Sequence, residues 1–232
     1  MPQIYGTQGG ETITGTAEPE QIYGLDGDDT IYGGDGSDTL NDDTIMGGPG
    51  NDLIYGGTGG DTIYDEYGND TVYAGPDRDI VFGSAGNDYY DGGDGYDLLG
   101  YSSALAGVLI DLTLATGQVR SINLNDAAFI GIDTISNFKY ISGSNFDDVI
   151  IGDGASTRFW GADGNDTLRG GGGDDELLGG LGNDFIDGGD GFDIAWYAGV
   201  VAGVTVSLVA TGAQNTGHGM DTLINVEGVT GT

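Results

Sequence analysis

The chain has 232 residues, 49 of them glycine and none cysteine, and carries a formal net charge of −33 from 38 acidic and five basic side chains. That length allows one large or two small domains. The missing cysteines exclude disulfide staples and thiolate metal sites, and with only Arg78, Arg120, Lys139, Arg158 and Arg169 there is no basic stripe to neutralise phosphates, so nucleic acid is not a partner.

A chain this acidic repels itself and stays expanded without counterions, so folding and cation binding are expected to be one event. Residues 1–10 carry neither a basic n-region nor an apolar h-region, and no Sec-type signal is read there. From Gly6 a nine-residue register begins: GTQGGETIT, GTAEPEQIY, GLDGDDTIY and GGDGSDTLN. Each unit is a glycine-bearing six closed by an acid, followed by three strand-like residues; the acids are Glu11, Glu20, Asp29 and Asp38. Glu is longer than Asp, so the first two units read as the cap that a repeat array needs rather than as working sites. Residues 41–46 break the register and read as the tail of a unit lacking four residues. That is either a deletion that swaps the sides of later turns or a bulge without consequence; the second is preferred.

Residues 47–100 hold the register without a gap: GGPGNDLIY, GGTGGDTIY, DEYGNDTVY, AGPDRDIVF, GSAGNDYYD and GGDGYDLLG, closed by Asp52, Asp61, Asp70, Asp79, Asp88 and Asp97. Glycines let the six coil tightly and leave carbonyls without strand partners; the Asp adds a carboxylate beside them. Carbonyl and carboxylate oxygens in a flexible cage suit a hard cation of calcium's size. The eighth residue is apolar (Ile54, Ile63, Val72, Val81, Tyr90, Leu99) and faces a core. Two units make one coil of eighteen residues, so each turn stacks on the turn two units later. The expected ligand pairs are Asp52 with Asp70, Asp61 with Asp79, Asp70 with Asp88 and Asp79 with Asp97. The Asp61–Asp79 pair is the weakest of these, because Asp77 and Arg78 depart from the pattern beside it. Ninth-position aromatics (Tyr23, Tyr32, Tyr55, Tyr64, Tyr73, Phe82) should stack in outward ladders, as cross-strand packing rather than as a sugar platform.

After Gly100 the register stops. Residues 101–142 contain strand-like runs, among them Val108–Leu112 and Asp133–Phe138, around a polar middle. Residues 143–196 form a second block, GSNFDDVII, GDGASTRFW, GADGNDTLR, GGGGDDELL, GGLGNDFID and GGDGFDIAW, with Asp148, Asp166, Asp175, Asp184 and Asp193. The expected pairs are Asp148 with Asp166, Asp166 with Asp184 and Asp175 with Asp193; Thr157 stands where an Asp is due. Residues 197–232 repeat the design of 101–142, since Asp221-Thr222-Leu223 matches Asp133-Thr134-Ile135. The end of the chain falls where the first copy begins new repeats and reads as a cut. The run 194–210 is uncharged but studded with Gly, Thr and Ser, and reads as a buried strand pair rather than a membrane span.

Gly33-Gly34-Asp35-Gly36-Ser37-Asp38, GGPGND at 47, GGTGGD at 56, GGDGYD at 92, GGLGND at 179 and GGDGFD at 188 resemble the repeat GGxGxDxUx of RTX (hemolysin-type) calcium-binding proteins. The resemblance implies a right-handed parallel β-roll, all-β, with several Ca²⁺ ions, in a secreted bacterial protein that folds after type I export. Its metal ligands would be Asp29, Asp38, Asp52, Asp61, Asp70, Asp79, Asp88, Asp97, Asp148, Asp166, Asp175, Asp184 and Asp193.

Catalytic patterns are missing from the sequence. There is no HExxH, and the single histidine, His218, lies in a Gly-rich loop and reads as solvent-exposed. Asp163-Gly164-Asn165-Asp166 is a fragment of an EF-hand loop without its twelfth-position Glu. The expected architecture is a capped roll block at 1–100, a β segment at 101–142, a second roll block at 143–196 and a truncated copy of the segment at 197–232. The expected role is that of a monomeric, non-catalytic calcium-binding module. It could serve as an adhesin or surface-layer extender, or as the C-terminal module of a secreted protease, lipase or alginate epimerase.

Overall fold

The computed structural model describes residues 1–35, 42–116, 118–122, 130–197, 206–210 and 212–231. They are all-β: strands and turns, with no helix among them. The chain divides into two units, Met1–Ser103 with Ala128–Lys139 and Ala104–Ala127 with Tyr140–Thr232.

In the first unit successive strands alternate between two parallel stacks. One runs Gln3–Tyr5, Gln21–Tyr23, Thr44–Pro49, Thr62–Tyr67, Ile80–Phe82 and Leu98–Gly100. The other runs Thr12–Thr14, Thr30–Asp35, Leu53–Thr58, Thr71–Pro76, Tyr89–Asp94 and Ile132–Ser136. This is the β-roll: a strand, a six-residue turn, a strand on the other sheet, a turn back. The register shows the coil length directly, as Leu53 lies beside Thr71 and Tyr89 follows Thr71 on the next layer.

One layer is longer. Gln21 pairs with Thr44 and Thr30 with Leu53, and the matching turn hydrogen bonds span 23 residues instead of 18. The unit opened by Gly33 therefore closes at Asp43, five residues later than the repeat has it, rather than four residues short. The strands on either side stay in register, and later turns keep their sides.

The second unit repeats the design. Tyr140–Ser142, Arg158–Asp163, Glu176–Leu181, Ile194–Tyr197 and Gly228–Gly231 form one parallel stack; Val149–Ile151, Thr167–Gly172, Phe185–Asp190 and Met220–Ile224 form the core of the other. Among the described residues two antiparallel pairs depart from it. Val108–Asp111 pairs with Val119–Ser121, and Gln214–Asn215 with Met220–Ile224. Both fall where the nine-residue register lapses, because a longer connection lets the chain reverse on itself instead of coiling onward. Of the uncharged run, Ile194–Tyr197 is a strand and part of the remainder lies outside the described residues. No described helix is long and apolar enough to cross a membrane.

The core follows from the period of two within each strand. Ile22, Ile31, Ile45, Ile54, Ile63, Val72, Val81, Tyr90 and Leu99 in the first unit, and Ile150, Phe159, Leu168, Leu177, Ile186 and Ala195 in the second, have no solvent exposure. Flanking Thr and Tyr side chains face outward, where β-branched and aromatic residues favour the pleated surface. The aromatic ladders form: Tyr32, Tyr55 and Tyr73 stack with ring centroids 5.0 and 5.2 Å apart, and Tyr64 stacks on Phe82 at 4.7 Å. His218 is half-buried rather than exposed, with its ring centroid 6.2 Å from that of Tyr197.

One large apolar side chain per nine residues makes every such position costly to lose. Ile63→Ala should lower the stability of the calcium-loaded protein by about 2–5 kcal/mol in urea unfolding. Tyr67→Ala, at a side chain 65% exposed, should stay within about 0.5 kcal/mol.

Candidate metal centre

The aspartate that closes each six-residue turn points inward and is buried, and one hydrogen-bond ladder fixes all of them. Along each stack the backbone N–H of one closing acid donates to Oδ1 of the closing Asp on the next layer, up to Asp97 and Asp193. In the first unit Asp52 donates to Asp70 (2.7 Å), Asp61 to Asp79 (2.7 Å), Asp70 to Asp88 (2.8 Å) and Asp79 to Asp97 (2.8 Å). In the second unit Asp148 donates to Asp166 (2.8 Å), Asp166 to Asp184 (2.9 Å) and Asp175 to Asp193 (2.8 Å). Thr157, in the place of an Asp, donates both its amide and its hydroxyl to Asp175. All seven pairs expected from the repeat are brought together, Asp61 with Asp79 included.

The ladder satisfies one oxygen and leaves the other. Among the described residues, Oδ2 of Asp29, Asp52, Asp61, Asp70, Asp79, Asp97, Asp166, Asp175, Asp184 and Asp193 is buried with no hydrogen-bond partner. Buried polar atoms are normally paired, so ten such atoms at one repeated position point to a missing class of partner. Backbone carbonyls converge on the same spot. A Cβ on Gly47 would lie 2.6 Å from Asp52 Oδ2 and 2.7 Å from the carbonyl oxygen of Asp65 on the next layer. The same two kinds of oxygen crowd Gly56, Gly161, Gly170 and Gly188. A side chain there would crowd both oxygens, and most of the turns open on glycine; Asp65 and Ala74 are the exceptions.

The turns fall into two conformational classes. In all ten with a free Oδ2 the second residue has positive φ: Leu25, Gly48, Gly57, Glu66, Gly75, Gly93, Ala162, Gly171, Gly180 and Gly189. Leu25 (φ 74°), Glu66 (φ 73°) and Ala162 (φ 81°) adopt it despite the roughly 1–2 kcal/mol penalty for an L-residue. Where the second residue is Thr or Ser, φ is ordinary, and at Thr7, Thr16 and Ser144 the turn closes on itself. Thr16 donates its amide and its hydroxyl to Glu20 (2.7 and 2.6 Å), Ser144 does the same to Asp148 (2.6 and 2.8 Å), and Thr7 does so to Glu11. After Ser84, Asp88 Oδ2 lies 3.0 Å from the Tyr90 hydroxyl. Asp88 and Asp148 thus stand in the ladder with both oxygens engaged, unlike the other expected ligands. The second-position Thr7, Thr16, Ser84 and Ser144 carried this signal in the sequence.

Asp38 lies outside the described residues. The place due to it is held by Asp43, whose Oδ1 accepts from Glu20 and whose amide donates to Asp61. Three further acids extend the ladder. Asp133 accepts from Asp88 across 45 residues, Asp221 from Asp184, and Glu227 from Asp193. Asp43-Thr44-Ile45, Asp133-Thr134-Ile135 and Asp221-Thr222-Leu223 share the Asp-Thr-apolar ending of regular units; nothing in the sequence marks Glu227. Asp133 and Asp221 are also engaged at Oδ2, by the Tyr101 hydroxyl (2.9 Å) and the Thr216 hydroxyl (2.6 Å).

Burial, reinforced by neighbouring carboxylates, pushes these acids upward from their ordinary value. Asp52 rises to about 6, Asp61, Asp166 and Asp184 to about 7, Asp70 and Asp79 to about 8, and Asp133 to about 9. The hydrogen bond at Oδ1 opposes the shift without cancelling it.

A family model, the RTX calcium-binding nonapeptide repeat, matches four stretches of the chain: 5–40, 41–64, 66–99 and 160–195. The chain belongs to that family. No curated protein matches the sequence. RTX repeats bind Ca²⁺, and the donor set fits that ion: carboxylate and carbonyl oxygens only, in a cradle where a carboxylate oxygen lacks a partner. This RTX chain is therefore a calcium-binding β-roll module of the kind found in secreted bacterial proteins.

The raised pKa values set a pH dependence. Folded values of about 6 to 8 stand above the ordinary 3.8, so the folded state without calcium holds more protons than the unfolded chain between those limits. Its stability is greatest below the ordinary value and falls as pH rises through 6 to 8. In chelator, the β signal in circular dichroism should be stronger at pH 5 than at pH 8, and saturating Ca²⁺ should remove the difference.

Proposed function

We propose that the chain is a non-catalytic module that folds as it takes up Ca²⁺ once outside the cell, after type I export, bracing the secreted protein that carries it. The observation that carries this reading is the set of ten buried Oδ2 atoms without partners, each in an open turn. A buried carboxylate without a counterion opposes folding, whereas one shared with a divalent cation supports it, so metal affinity becomes folding free energy. Calcium is scarce inside a cell and plentiful outside, which would keep the acidic chain extended until it is exported.

The ligands in this reading are the carboxylates of Asp29, Asp52, Asp61, Asp70, Asp79, Asp97, Asp166, Asp175, Asp184 and Asp193, with first-position carbonyls such as that of Asp65. The turns closed by Glu11, Glu20 and Asp148 take no ion. Their Thr or Ser donors already supply what the cation supplies elsewhere, and they cap the stacks.

Circular dichroism of the chain in EDTA should show disorder at pH 7.5 or above, and millimolar Ca²⁺ should restore β-structure. A fold indifferent to EDTA would overturn the coupling. In calorimetric titration Asp61→Ala should lower the number of ions bound, while Glu20→Ala should leave it unchanged; equal losses would refute the division into open and closed turns.

A further inference from the structure

One turn in the first unit departs from the repeat in a way that adds a donor. Asp65 stands at the first position of its unit, where the others have glycine or alanine. It is fully buried, on the inward face of Thr62–Tyr67 with Ile63. In the glycine turns, Oδ2 of the closing Asp is the atom that a first-position Cβ would meet, as at Gly47 with Asp52. Asp65 carries that Cβ, and Oδ2 of Asp70, which closes its turn, is buried without a partner. On the next layer lies Asp88. One carboxylate oxygen each from Asp65, Asp70 and Asp88 falls within 4.8 Å of the others.

From these positions we infer that Asp65, Asp70 and Asp88 form a three-carboxylate site for a hard divalent cation, Ca²⁺, which fills ahead of the two-carboxylate turns of the repeat. The inference rests on the calcium reading above.

Three observations support it. The three side chains are 0, 2 and 3% exposed, so solvent does not offset their charge. Among the described residues no Lys or Arg forms an ion pair with any of them. The Tyr90 hydroxyl lies against Oδ2 of both Asp65 and Asp88, and its single proton serves one at a time. The cluster is left with one more carboxylate than its side-chain donors can serve at once, and one oxygen, Asp70 Oδ2, has no donor. Calcium affinity in oxygen cages rises with the number of charged ligands, and this turn has one more than its neighbours.

The test is a calorimetric Ca²⁺ titration of the full chain against Asp65→Asn, which keeps the shape and removes the charge, and Asp65→Gly, which restores the repeat. Both should lose the tightest binding event, weakened by about tenfold or more, with the remaining events unchanged. A second measurement uses Tb³⁺ as the probe. Emission sensitised by tyrosine should rise with the first equivalent, and Tyr90→Phe should suppress that first rise while sparing later ones. If D65N and the parent chain titrate identically while the parent still unfolds in EDTA, the three-carboxylate site is refuted and the calcium-coupled roll stands. If Tyr90→Phe leaves the first equivalent of emission intact, the first ion binds elsewhere and the site is likewise refuted. A parent chain that takes up no Ca²⁺ overturns both.

Discussion

Each layer of the roll buries a carboxylate, and the fold depends on how that charge is balanced. The backbone supplies half of the answer. The amide one layer below bonds Oδ1, and this bond locks successive turns in register, as between Asp61 and Asp79. Oδ2 receives nothing from the protein in the open turns. Strand spacing puts successive layers roughly 5 Å apart, and two unit charges at that distance repel by about 3 kcal/mol at an effective dielectric near 20. A few uncompensated layers therefore offset the whole of an ordinary domain's stability, about 5–15 kcal/mol. Protons or cations must enter with the fold, and at neutral pH a divalent cation between carbonyls and carboxylates does this best.

The closed turns solve the same problem with side chains. At Thr16 and Ser144 one residue donates an amide and a hydroxyl to the carboxylate of its own turn, so no outside partner is needed. A second-position glycine gives up that closure, as positive φ is cheap for it and leaves Oδ2 free. The choice at one backbone position thus decides between a turn that stands by itself and one that waits for an ion. Leu25, Glu66 and Ala162 hold the open conformation without glycine's freedom, which indicates that stacking on the adjacent layers imposes it there.

The hydrophobic contribution is narrow. Each sheet contributes one inward row of Ile, Val, Leu and aromatic side chains, and at Tyr90 and Tyr101 an inward hydroxyl reaches the acid ladder. Tyr90 lies against Asp65 and Asp88, and Tyr101 donates to Asp133. Core and charge ladder are adjacent throughout, so neither can be altered without disturbing the other.

The nine-residue period, the inward eighth residue, the stacked aromatics and the closing Asp with its partner eighteen residues on were all legible in the sequence, because each is a local pattern repeated in a fixed register. What lay beyond reach involved residues whose neighbours are set by how the chain returns. The insertion that moves the ladder from Asp38's place to Asp43, the arrival of Asp133 above Asp88 across 45 residues, and Glu227 above Asp193 depend on where a long connection comes back to the stack. The open or closed state of a turn was written in its second residue but acquired meaning only with the backbone angle and the fate of Oδ2. By itself the sequence determined the repeat, its oxygen donors and the ion they suit. Only the tertiary structure decided which carboxylates keep a free oxygen, since that is fixed by donors from other layers, not by the nonapeptide.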